Sequence, residues 1–99
     1  MRHIRKLMKN NTTGCLWPYI LSIIKDRPCH AYVIRRLVKE RFGFTPGNVT
    51  AYRVLYSLRK SGLVSLERSG RKRVYSTTRK GREALAQARS YYKGLAHSL

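Results

Sequence analysis

The stretch NVTAYRVLYSLRKSG, residues 48–62, decides the fold. Wound as a helix at 100° per residue, with Leu55 set at 0°, it places Ala51, Leu58 and Tyr52 within about 60° of Leu55 as a core face. Thr50, Arg53, Ser57 and Lys60 lie opposite, with Val49 and Val54 flanking them. No acidic residue occurs from Arg41 to Leu66. A merely solvated face would mix charge signs. A small and cationic face over an apolar back suits a helix whose N-terminal half enters the DNA major groove. There Arg53 would bridge guanine O6 and N7, Asn48 and Thr50 would bond bases or phosphates, and Val49 would meet a thymine methyl.

Outward from this helix the pattern continues on both sides. Gly62 ends it, and two extended runs follow, Leu63–Glu67 and Arg73–Thr77, separated by Arg68-Ser69-Gly70-Arg71-Lys72. Two such runs about a glycine predict a hairpin with a cationic tip. Nine cations and a single anion, Glu67, lie between Arg59 and Arg82. Arg68, Arg71, Lys72 and Arg73 are therefore candidates for contact with the DNA backbone. Upstream, His30–Phe42 predicts a helix with Tyr32, Val33, Leu37, Val38 and Phe42 inward and Gly43 as its terminator. Thr45 or Asn48 would cap the helix that follows. Residues 17–26 predict another helix, begun by Trp17-Pro18 and stopped by Arg27-Pro28. Residues 2–9 predict a short amphipathic helix carrying Ile4, Leu7 and Met8.

Thr78 would cap a last helix from Arg79 to about Ala96. Along it Gly81, Leu85, Ala88, Tyr92, Leu95 and Leu99 recur at alternating spacings of four and three, the 3.5-residue repeat of a coiled-coil seam. Leu85, Ala88, Tyr92 and Leu95 are thus candidates for a homodimer interface, and the N-terminal helix is a candidate to join it. The expected architecture is mainly α with a small β-hairpin wing (α+β), a winged helix-turn-helix. Residues 1–14 would be a basic N-terminal arm, 15–78 the DNA-binding domain and 79–99 the dimerisation helix.

The composition narrows the function. Ninety-nine residues carry 22 Lys and Arg against 4 Asp and Glu, a net charge of +18. One domain is the expectation, and a two-domain enzyme is excluded by length. So dense a charge asks for a polyanion, with double-stranded DNA first and an anionic membrane second. The longest apolar run, Cys15–Ile24, falls short of the ~20 residues that span a bilayer, and no leader precedes it, so a cytoplasmic, nucleoid-associated protein is expected. The four carboxylates are scattered, no nucleophile triad or phosphate loop occurs, and no enzyme is expected. Cys15, Cys29 and the three histidines lack metal spacing, so neither metal nor cofactor is expected. The two cysteines read as small apolar residues.

Three stretches resemble the PadR family of winged-helix regulators. Pro28-Cys29-His30-Ala31-Tyr32-Val33-Ile34 resembles its P-x-H-G-Y-x-I segment. Thr50–Leu58 followed by Gly62-Leu63-Val64 resembles T-L-Y-P-x-L-x-x-L and G-L-V. Arg71–Arg82 resembles the wing R-K-x-Y and the L-T-x-x-G-R after it. The chain departs from the family at Ala31, Ala51 and Arg53, where the pattern has glycine, leucine and proline. The resemblance implies a dimeric regulator, commonly a repressor, on palindromic promoter DNA. It also implies phosphate contacts near His30 and Tyr32, base reading across Asn48–Arg53 and wing contacts from Arg71–Arg73. Some relatives hold an aromatic effector between the helices of the dimer; Trp17, Tyr91 and Tyr92 would line such a pocket, although the residues do not indicate one. Two other readings stay open: an architectural protein that coats DNA without sequence choice, and an RNA-binding protein.

Overall fold

A computed structural model describes all residues, 1–99. Its elements are α1 (Arg2–Asn10), α2 (Trp17–Ile24), β1 (Cys29–His30), α3 (Ala31–Phe42), α4 (Asn48–Lys60), β2 (Val64–Ser69), β3 (Lys72–Thr77) and α5 (Arg79–Ser98). Helices α2, α3 and α4 surround one apolar core whose centre is Ile20, Leu21, Ile24, Ile34, Val38 and Leu55, all 2 % exposed or less. The sheet closes one side of it, ordered β1-β3-β2 and antiparallel throughout. This is the winged helix-turn-helix expected from the sequence, with one strand more than the hairpin.

Each boundary has a local cause. Pro18 sits in the first turn of α2, where its missing N–H is harmless. Gly43 ends α3 at φ 83, a conformation that favours a residue without Cβ. In the wing, Ser69 pairs with Lys72 across a two-residue loop, Gly70-Arg71, with φ 63 at Gly70. Positive φ at the first loop position alone is the pattern of a type II′ turn, whose twist matches that of the strands. Thr78 caps α5 as expected: its Oγ1 accepts from the Gly81 amide at 3.1 Å and donates to the Gly62 carbonyl at 2.6 Å.

Some expectations are corrected. The N-cap of α4 is Gly47 without a side-chain bond, so neither Thr45 nor Asn48 caps it. The turn before α4 is held instead by Arg35, whose Nε donates to the Pro46 carbonyl at 3.0 Å. Tyr32 and Phe42 are 67 % and 38 % exposed, and the fully buried positions between them are Ile34 and, as expected, Val38. In the α3 helix Tyr32 trails Ile34 by about 200°, so the two cannot share the core face. Cys29 is buried, Cys15 is half-buried, and both are free thiols.

Two segments leave the core. α1 has no buried residue and shows Ile4, Leu7 and Met8 to the surface. α5 buries only Gly81 and Leu85, and every residue beyond Ala88 is exposed. Tyr19 joins the end of α1 to the core. Its ring meets Phe42 and Phe44 edge-on at 4.8 and 5.0 Å, and its hydroxyl donates to the Asn11 carbonyl at 2.6 Å. Burial, with Cys15 beside it, pushes the Tyr19 phenol above its ordinary value, which keeps it a donor. No helix is long and apolar enough to cross a membrane.

Candidate nucleic-acid interface

α4 is seated by Ala51, Leu55 and Leu58, buried at spacings of four and three residues. Asn48, Val49, Thr50, Arg53, Ser57 and Lys60, the residues proposed from sequence to read DNA, are all exposed. Their distribution around the helix differs from the expected one. Tyr52, expected in the core, is 43 % exposed, and Tyr56 is 65 % exposed. Val54, expected on the rim, is half-buried and packs against the core. Arg53 and Ser57 border a groove shared with Cys15, Leu16 and Trp17. The linker into α2 thus covers one flank of α4, and the open face turns toward Tyr52. On the wheel the open positions run from Tyr52 at about 60° through Tyr56 and Val49 to Arg53 at about 160°.

Beside this face, three elements converge. His30, Ala31 and Tyr32 at the start of α3, Tyr52 of α4, and Arg71, Lys72 and Arg73 of the wing line one open cleft of about 450 Å³. All seven residues lie within the three sequence motifs, and only Ala31 and Tyr52 are outside the residues proposed for DNA contact. Cys29 and His30 pair with Tyr75 and Val74, which lays the start of α3 against the wing. His30 reinforces that join: its Nδ1 lies 3.2 Å from the Arg73 carbonyl. A carbonyl only accepts, so this bond requires the proton on Nδ1. The imidazole stacks on Tyr32 with centroids 5.9 Å apart and planes 3° from parallel. His30 stands at the N-cap of α3 but does not cap it with its side chain.

No acidic residue lines the cleft, and the two ion pairs of the chain, Arg36–Glu40 at 3.7 Å and Arg79–Glu83 at 3.4 Å, are exposed i,i+4 pairs elsewhere. The wing cations Arg68, Arg71, Lys72 and Arg73 are exposed. With cations, two exposed tyrosines and the open face of α4 side by side, the surface is complementary to a grooved polyanion.

The four candidates for a dimer interface separate. Leu85 is buried in the protomer's own core and is not available to a second copy, while Ala88 is half-buried. Tyr92 and Leu95 are 40 % and 44 % exposed, and Tyr91 beside them 66 %. The aromatic trio also separates: Tyr92 borders a groove with Tyr19, Arg41 and Phe42, whereas Trp17 borders the groove of Arg53. Burial and the neighbouring Cys15 thiol push the Tyr92 phenol above its ordinary value. No three of the His, Cys, Asp and Glu side chains come close enough to hold a metal ion.

A family model described as "Transcriptional regulator PadR-like family" matches residues 20–87. Solved structures share the fold. A PadR family transcriptional regulator from Eggerthella lenta DSM 2243 superposes with a TM-score of 0.80 at 19% identity, covering 98% of this chain and 88% of that one. A PadR family transcription regulator from Clostridium difficile R20291 gives 0.76 at 22% identity over 83% and 91%. F93 from STIV, a winged-helix DNA-binding protein, gives 0.71 at 19% over 78% and 86%. A search of curated proteins finds no match.

Proposed function

The chain belongs to the PadR-like family of transcriptional regulators, and from that premise we propose that it represses transcription as a homodimer bound to a palindromic operator. One observation carries the reading: the start of α3, α4 and the wing meet at a single cationic cleft beside the open face of α4. In this arrangement α4 enters the major groove, with Arg53 on a guanine and Asn48, Val49 and Thr50 at base edges. Ser57 and Lys60 follow the groove. Arg68, Arg71, Lys72 and Arg73 hold the phosphate backbone, and His30 and Tyr32 hold the phosphates at the helix start. The homodimer rests on the exposed faces of α1 and of α5 beyond Ala88. It would present two α4 helices about 34–36 Å apart, one turn of duplex. A site so occupied excludes polymerase, and the protein works in the cytoplasm on the nucleoid.

Binding measured against salt concentration, on a selected operator and on random duplex, tests the reading. Arg53→Ala should relax sequence preference. Arg71→Ala with Lys72→Ala should weaken both duplexes alike and flatten the log–log salt slope by about two, one per lost phosphate contact. Equal losses on both duplexes from both sets of substitutions would refute base reading by α4. The charge of +18 favours one second reading, a protein that coats DNA without sequence choice. Even nuclease protection along a promoter fragment, in place of one discrete footprint, would establish it.

A further inference from the structure

The open face of α4 holds more than the cations and small polar groups that its sequence promised. Val49, Tyr52 and Tyr56, at 70 %, 43 % and 65 % exposure, form one stripe down the helix at i, i+3 and i+7. Large apolar side chains left open at this density on a helix need a partner that is itself partly apolar. The surroundings of the stripe identify that partner. Arg53 and Lys60 flank it on one side, and Arg71, Lys72, Arg73 and His30 stand beyond Tyr52 on the other. No carboxylate lies between Glu40 and Glu67. An apolar strip between two cationic rails matches a groove between two phosphate backbones, and the one apolar group on a major-groove base edge is the thymine 5-methyl. Seven residues of helix rise about 10.5 Å, which is close to three base-pair steps.

We propose that Val49, Tyr52 and Tyr56 read thymine methyls, so that Tyr56 and Tyr52, and not only the N-terminal turn of α4, set sequence choice at adjacent A·T pairs. The inference rests on the groove-bound α4 of the proposed function. The phenol rings supply wide contact area with two rotatable torsions each, so ordering them costs little entropy. In this reading the ring faces and edges, and not the hydroxyls, are the discriminating groups.

Uracil differs from thymine in a base pair by the methyl alone, which makes the test specific. A duplex selected from a random pool is resynthesised with uracil at each thymine in turn, and affinities are measured for the full chain. Loss of about fourfold is expected at each methyl in contact, the value of one buried methyl-sized group. Tyr56→Ala, at an exposed position that leaves the core untouched, should bind thymine and uracil duplexes equally at one of those positions. Tyr56→Phe should keep the discrimination, because a phosphate-bonding hydroxyl is not what the stripe uses. Sequence-preferring binding with no uracil effect at any position would overturn the stripe and leave the operator reading standing. Indifference of the protein to duplex sequence altogether would overturn both.

Discussion

Gly81 shows how one atom sets the packing of a helix. A Cβ built there would lie 2.1 Å from the Leu63 carbonyl oxygen and 3.0 Å from Thr77 Cγ2. The absence of a side chain lets the first turn of α5 press on the start of β2, where the Thr78 hydroxyl also bonds the Gly62 carbonyl. Alanine favours a helix over glycine by about 1 kcal/mol. Overpacking against rigid backbone costs about 1–3 kcal/mol, so the clash outweighs the propensity. Gly81→Ala is therefore expected to destabilise the domain by up to about 2 kcal/mol and to lower its melting temperature by several degrees. Gly94→Ala, with open space where its Cβ would stand, should raise stability by up to about 1 kcal/mol. Thermal unfolding of the two variants beside the parent decides it, and equal shifts would show that Gly81 is not a packing contact.

At the level of elements, the joint between α3 and the wing is where sequence and structure part. The five helices and the hairpin are legible because each spans enough residues for a 3.6- or 2-residue period to show. β1 is not: two residues, Cys29 and His30, carry no period, and only the pairing with Tyr75 and Val74 makes them a strand. Tyr52 departs from the wheel for a different reason. It stands about 60° from Leu55, at the edge of the core face, where a long amphipathic ring resolves outward once the wing and His30 offer it a polar wall. Tyr32 likewise looked apolar by type and proved to be surface by position. The cationic tip of the wing is legible because charge sign needs no geometry to read. The joint itself makes a prediction. His30→Ala removes the bond to the Arg73 carbonyl and should speed amide exchange across Arg71–Val74 and weaken duplex binding severalfold. His30→Asn, which keeps a donor near Nδ1, should restore the slow exchange. Unchanged exchange in the alanine variant would show that backbone pairing alone fixes the wing.

Over the whole molecule, charge and apolar surface pull in opposite directions. The proposed dimer would bring together Ile4, Leu7 and Met8 of α1 with Tyr91, Tyr92 and Leu95 of α5. The same surfaces carry Arg2, Arg5, Lys6 and Lys9 on α1 and Arg89 and Lys93 on α5, and no acid follows Glu83. Apolar burial favours association, whereas two protomers of +18 each repel. Screening shortens from about 30 Å at 0.01 M salt to about 8 Å at 0.15 M, so repulsion fades where the apolar contribution persists. Dimerisation should accordingly strengthen as sodium chloride rises from about 50 to 500 mM, while DNA binding, which releases counterions, should weaken over the same interval. Operator DNA supplies the same countercharge locally, so the dimer should assemble on the duplex at concentrations where the free protein is monomeric, and half-sites should fill cooperatively. Sedimentation equilibrium across that salt range, with and without a two-half-site duplex, measures both. A dimer that loosens as salt rises would mean that ion pairs, and not these apolar faces, hold the copies together. A chain monomeric under every condition would remove the homodimer, and with it the requirement for a palindrome.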